Sequence, residues 1–190
     1  MKKVGVVYFS KTDITSALAD GILEGVVEVK DVDAEQYRIL GEDIICGRYT
    51  NGNVLEALSK CHAIVFGSPT YMGGPSAQFK AFADATSDIW CKQGWGDKIA
   101  AGFTCGSAQN GDQGSTLQYF VTLANQHGMV WLGLNSAIGY KDRGVNRLGC
   151  QLGVSAWSPD GIANKEDVAT AKYLGHRVAD LVGNLTSNSS

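Results

Sequence analysis

A chain of 190 residues, 44% apolar and 18% charged, can bury a substantial core and is expected to fold as one domain over 1–190. Its formal charge of −3 comes with no basic stretch able to neutralise a row of phosphates, which excludes nucleic acid as a main partner. No apolar run is long enough to cross a bilayer, so no membrane span is expected.

The opening Met1–Phe9 is apolar, but too short for a signal peptide, and it runs into Ser10-Lys11-Thr12-Asp13 without a small-residue cleavage site. It reads as a first buried strand, Lys3–Phe9, of a cytoplasmic protein. A helix follows, with Ile14, Leu18, Ile22 and Val26 at four-residue steps on one apolar stripe. A second strand is expected within Val27–Asp33, where alternating charge suits an edge. Ala34–Asn53 reads as a long connection, and Asn53–Cys61 as a short helix. Ala63–Gly67 is a continuous apolar run, which predicts a central strand.

Ser76 is predicted to cap a helix reaching Ile89, with Phe79, Phe82 and Ala83 facing inward. Lys98–Thr104 predicts strand four, and Ser115–His127 a helix that Gly128 terminates. Met129–Leu134 predicts strand five, interrupted by a glycine-rich insertion near 135–153, after which Val154–Trp157 resumes pairing. A last helix starts at Asn164, with Asp167 three positions on as a capping-box variant, and runs to about Asn184. The alternation of strands and helices predicts a doubly wound α/β fold with a parallel sheet covered on both faces. Five widely spaced cysteines, without a C-x-x-C pair, read as free thiols in a reducing compartment, with no metal site. Cys61 and His62 are adjacent, so their side chains diverge and make a poor chelate.

In an open parallel sheet, ligands bind outside the carboxyl ends of the strands. The loops leaving strands one, three and four are rich in hydroxyls and glycine: Ser10–Thr15, Gly67–Gly74 and Thr104–Gly114. The first lies at a helix start, where amides carry partial positive charge and can hold a phosphate. Ser10, Thr12 and Thr15 add hydroxyls, and Lys11 a cation. Read alone, the same turn is equally a plain hydroxyl-rich helix cap.

Ser10-Lys11-Thr12-Asp13-Ile14-Thr15 resembles the phosphate loop of flavodoxin-like proteins. Gly67-Ser68-Pro69-Thr70-Tyr71-Met72-Gly73-Gly74, with Ser76–Asp84 after it, resembles the matching segment of the WrbA-like NAD(P)H:quinone oxidoreductases, an FMN-dependent reductase family. Leu123–Val130 is similar to that family's Leu-Ala-His-His-Gly-Met-Val. The resemblance implies a flavodoxin-like fold, five parallel strands in the order 2-1-3-4-5, and non-covalent FMN.

It further implies that Ser10, Lys11, Thr12, Asp13, Ile14 and Thr15 hold the phosphate. Pro69, Thr70, Tyr71, Met72 and Gly73 would flank the flavin ring on one side, and Thr104, Cys105, Gly106 and Ser107 on the other. The implied activity is electron transfer from NAD(P)H to a quinone or similar acceptor, with Trp90 at the substrate space. A histidine would also act there. His127, however, closes a helix whose amino end faces the flavin, about twelve residues and ~18 Å away. It would therefore serve a neighbouring chain's flavin in a homo-oligomer (dimer or tetramer), or be a helix-end residue favoured by the dipole. Asp13 stands where such loops usually carry glycine, and its carboxylate could itself cap the helix. Two alternatives stay open: a flavodoxin-type one-electron carrier, and a flavin-less relative binding another ligand in the crevice.

Overall fold

The computed structural model describes residues 1–137 and 144–185. In chain order the elements are β1 (Lys2–Tyr8), α1 (Ile14–Val27), β2 (Val32–Arg38), a 3-10 turn (Gly41–Asp43), a small hairpin of β3 (Ile44–Ile45) and β4 (Arg48–Tyr49), and α2 (Gly52–Ser59). There follow β5 (Ala63–Tyr71), β6 (Gly74–Pro75), α3 (Ala77–Ala85), α4 (Ser87–Cys91), β7 (Ile99–Gly106), α5 (Gln113–Gln126), β8 (Val130–Trp131), β9 (Val154–Trp157) and α6 (Lys165–Leu185). The main sheet runs β2-β1-β5-β7-β8, all parallel, with β9 also on β7. Since β8 and β9 share one position, the order is the expected 2-1-3-4-5.

Successive residues of the central strands feed two separate cores, as the strand's period of two demands. Val65, Ala101, Phe103 and Cys105 pack with Leu18, Ile22, Leu174 and Val178 under α1 and α6. Ile64, Phe66 and Ala100 pack with Leu58, Phe79, Phe82, Leu117 and Phe120 under α2, α3 and α5. The α1 stripe of Ile14, Leu18, Ile22 and Val26 is buried throughout. Ser76 caps α3 by accepting the Phe79 N–H at 3.2 Å, and Gly128 ends the α5 segment at φ 69°. All five cysteines are free thiols, and among the described residues no helix is long and apolar enough to cross a membrane.

Several boundaries differ from the sequence reading. The second strand is Val32–Arg38, not a segment of Val27–Asp33, because α1 runs on to Val27. Only Val32 of β2 is buried, so backbone pairing along all of β1 defines this edge strand. The connection expected over Ala34–Asn53 holds most of β2, the 3-10 turn and the hairpin. The helix from Ser76 breaks at Thr86, whose hydroxyl donates to the Ala83 carbonyl at 2.7 Å.

Strand five is split: β8 pairs with Ile99 and Ala100, and β9 with Phe103–Gly106. The insertion between them lies partly outside the described residues. Its return is pinned by Leu134 N–H donating to the Gln151 carbonyl at 2.9 Å. Asp167 is no capping-box residue: it accepts Arg147 Nε and Nη2 at 2.7 Å each, and the Trp157 N–H at 3.1 Å. Asn164 instead accepts the Glu166 N–H with its side chain, at 2.9 Å.

The position of α1 follows from its contact with α6. A Cβ at Gly25 would stand 1.9 Å from the Lys172 carbonyl oxygen, and one at Gly175 2.1 Å from that of Ile22. The two backbones touch, which only glycine permits. Gly25→Ala should therefore force the helices apart and lower unfolding stability by ~2 kcal/mol despite alanine's better helix propensity. Urea unfolding should show a lower midpoint, whereas an unchanged midpoint would mean that the helices separate freely.

Candidate functional site

The carboxyl ends of β1, β5 and β7 lie flush. Phe9 N–H donates to the Gly67 carbonyl at 3.1 Å, and Gly67 is in register with Phe103. The three loops singled out in the sequence therefore open on one edge of the sheet.

The first loop carries the most specific geometry. Asp13 precedes α1 with φ 61°, the left-handed region, and makes no side-chain cap. Aspartate tolerates this conformation better than most residues, which accounts for its standing where related loops carry glycine. Its carboxylate is turned to solvent, 85% exposed, with Arg38 Nη2 3.8 Å away, so it does not occupy the helix-start amides. The N–H groups of Lys11, Thr12, Asp13, Ile14 and Thr15 have no acceptor among the described residues. Helix starts leave such donors unmet until a side chain, water or ligand fills them. A run of five beside a helix dipole can receive an anion.

Two side chains hold the loop in place. Ser10 is buried, and its hydroxyl accepts the Ser16 N–H at 3.3 Å. Thr15 is buried, with its hydroxyl 3.3 Å from the Cys105 thiol at the end of β7. Burial pushes the Cys105 thiol above its ordinary range, opposed in part by that contact, so it stays neutral. Of the three hydroxyls, Thr12 is the one left exposed to meet a ligand; Lys11 is exposed beside it.

The second loop is a hairpin in which Thr70 and Tyr71 pair with Pro75 and Gly74. Its tip residues Met72 and Gly73 have φ 49° and 76°, as two-residue hairpins require. Met72 is fully exposed and Tyr71 partly so, which gives the crevice an apolar rim. The Thr70 hydroxyl lies 2.9 Å from that of Thr104 and 2.8 Å from that of Thr116, while Thr104 donates to the Ser68 carbonyl at 2.7 Å. These hydroxyls tie β5, β7 and α5 together and are already partnered. Pro69 pairs within the strand, opposite Cys105.

The third loop leaves β7 at Gly106 and enters α5 through Asp112, again left-handed (φ 59°) and without a side-chain cap. Ser107 is exposed, and its carbonyl accepts the Trp157 indole N–H at 3.2 Å. Arg147 lies 5.6 Å over the Trp157 ring and donates to the Trp157 carbonyl at 3.0 Å. Its partner Asp167 is 2% exposed. Arg38, Trp157 and the Arg147–Asp167 pair border the loops, and the sequence reading gave none of them a place in the site. Had β2 been placed at Val32–Arg38, Arg38 would have stood out as the residue ending a strand at the crevice.

Two predicted residues lie apart from this edge. Trp90, 43% exposed, sits on α4 past the far end of α3, a nine-residue helix that starts beside the second loop and spans ~14 Å. It does not border its own chain's crevice. His127 is 1% exposed, stacked 4.6 Å from Trp95, with Nε2 2.8 Å from the Thr86 hydroxyl. Its ring is shut inside its own chain and presents nothing to a neighbour.

Thr86 spends its one proton on Ala83, so His127 Nε2 is the donor and Nδ1 an unprotonated acceptor. Nδ1 has no partner. Burial lowers the His127 pKa from its ordinary 6.5, since the cation would set a second N–H where nothing accepts it. The unfolded chain then binds the proton first. Stability falls as pH drops below about 6.5, by up to ~1.4 kcal/mol per pH unit, until the folded pKa is reached. His127→Phe should flatten urea midpoints between about pH 7 and pH 5; an equally steep profile in the variant would assign the effect elsewhere.

Comparison with known proteins gives concordant results. A model of the family described as NADPH-dependent FMN reductase matches residues 9–142. The chain is 36% identical over 194 residues to "Flavodoxin FldP" of Pseudomonas aeruginosa, covering 94% of this chain and 96% of that one. It is 30% identical over 202 residues to an "NAD(P)H dehydrogenase (quinone)" of Solidesulfovibrio magneticus, covering 95% and 97%. Among solved structures, a flavodoxin, WrbA-like protein of Agrobacterium tumefaciens superposes with a TM-score of 0.74 at 36% identity, covering 96% and 98%.

Proposed function

The chain belongs to the NADPH-dependent FMN reductase family, and on that premise we propose that it is an FMN-binding oxidoreductase passing electrons from NAD(P)H to a quinone or similar acceptor. The observation that carries this reading is the run of five unpartnered amides from Lys11 to Thr15 at the start of α1. It fits the phosphate of FMN, and the Asp13 carboxylate is turned out of its way. FMN, when bound, would supply the redox chemistry, that of two-electron transfer between a nicotinamide and an acceptor.

The chain's own residues bind and orient. The Ser10 and Thr15 side chains fix the loop; Lys11, Thr12, Asp13, Ile14 and Thr15 supply amides to the phosphate, and Thr12 its hydroxyl as well. The backbone of Pro69, Thr70 and Gly73 and that of Thr104, Cys105, Gly106 and Ser107 bracket the ring, while Tyr71 and Met72 provide apolar contact at its edge. In a homo-oligomer, Trp90 would border a neighbouring chain's substrate space rather than its own. Five free thiols favour a reducing, cytoplasmic setting. The likeness to a protein named flavodoxin favours a second reading, a one-electron carrier with no substrate of its own.

Turnover separates the two. The purified protein should be yellow, or turn so with added FMN, and should oxidise NADPH in the presence of a benzoquinone; a bound flavin with almost no turnover would establish the carrier. Thr12→Glu adds a second carboxylate to the loop and should abolish flavin retention, read from the visible spectrum after gel filtration. Full flavin content in that variant would show that the phosphate sits elsewhere.

A further inference from the structure

Arg38 ends β2 in register with Tyr8 of β1, on the face that α1 covers. From there its Nη2 donates to the Ser10 carbonyl at 2.9 Å and stands 3.8 Å from Asp13 Oδ1. Ser10 immediately precedes the unpartnered amides and Asp13 is the middle one of them, so the guanidinium lies along the same short loop. Its other N–H groups make no hydrogen bond among the described residues. The Asp13 contact is long and solvated and does little to hold the side chain; the carbonyl bond fixes it.

We propose that Arg38 is a phosphate-binding residue of this site, selecting flavin bearing a phosphate dianion over the neutral, unphosphorylated flavin. The inference rests on the reading that FMN's phosphate occupies Ser10–Thr15. The reason lies in the charge balance. Amides and one hydroxyl give only partial charges, and the left-handed turn has brought a full negative charge, Asp13, to the loop. Lys11 is a flexible, exposed ammonium, whereas Arg38 is preset by its carbonyl anchor and keeps spare donors in a planar fork that matches phosphate oxygens. Asp13 in turn offsets the guanidinium when no dianion is present, so its removal should favour the phosphate.

The test is a flavin-fluorescence titration of the full chain freed of flavin, with FMN and with riboflavin, for the wild type, Arg38→Gln, Arg38→Lys and Asp13→Asn, with circular dichroism as the folding check. Arg38→Gln should weaken FMN about tenfold or more, the size of a charge-assisted hydrogen bond, and leave riboflavin within about twofold. Arg38→Lys, which keeps the charge but loses the planar fork, should recover only part of the FMN affinity lost in Arg38→Gln, and Asp13→Asn should tighten FMN about threefold. Added salt should weaken FMN more steeply in the wild type than in Arg38→Gln.

Equal loss for both flavins in Arg38→Gln would make the residue a structural tie and overturn the proposal, as would unchanged FMN affinity. A wild type that binds riboflavin as tightly as FMN would instead overturn the phosphate assignment beneath it.

Discussion

A helix that starts at the edge of a sheet must find partners for its first N–H groups, and α1 starts without providing them. Its cap residue is left-handed and keeps its carboxylate in solvent, so the five consecutive amides of Lys11 to Thr15 have no acceptor among the described residues. Water can satisfy them, but a phosphate matches both their number and the helix dipole. The rest of the fold keeps that arrangement fixed. Behind it, α1 is locked by backbone contact with α6 at Gly25 and Gly175; to either side, Thr15 is fastened to Cys105 and Ser10 to Arg38. Such a helix cannot slide to bury its own donors.

The side of the crevice formed by the second and third loops is built differently. There the side chains nearest the crevice are consumed in a hydroxyl network: Thr70 with Thr104 and Thr116, and Ser68 with Ser76. The network sets the height of the second loop against β7 and α5, and leaves backbone groups to face a ligand. Arg147, paired with Asp167 and stacked on Trp157, does the same for the third loop from the far side of β9. A buried, bidentate pair of this kind is costly to break, so the end of β9 serves as a stiff wall.

What the sequence displayed plainly was periodicity. Ile14, Leu18, Ile22 and Val26 repeat at helical spacing because α1 buries one stripe, and Ala63–Gly67 is uniformly apolar because β5 is covered on both faces. The edge strand was misplaced because almost nothing in it is buried: β2 is defined by pairing with β1, which leaves no hydrophobic signature. Arg38 was lost with it. His127 and Asp167 have polar side chains at helix ends, where solvent or capping roles are the ordinary expectation. Tertiary partners decide otherwise, Thr86 and Trp95 for the one, Arg147 for the other, and no local pattern encodes them. The three loops were legible because their position follows from topology alone.

The two halves of the site meet at consecutive residues of one strand. On β7, Cys105 points to the α1 face and meets Thr15 under the first loop, while Thr104 points to the α5 face and meets Thr70 under the second. Strand alternation thus lets a single central strand brace both loops at once, and a shift of β7 along its axis would disturb them together. Since the braces use up the side chains, what they leave open to a ligand is largely backbone amide, which any residue but proline can contribute. That explains how Asp13 can occupy the turn: the position demands a backbone conformation, and a carboxylate turned to solvent leaves the donors free.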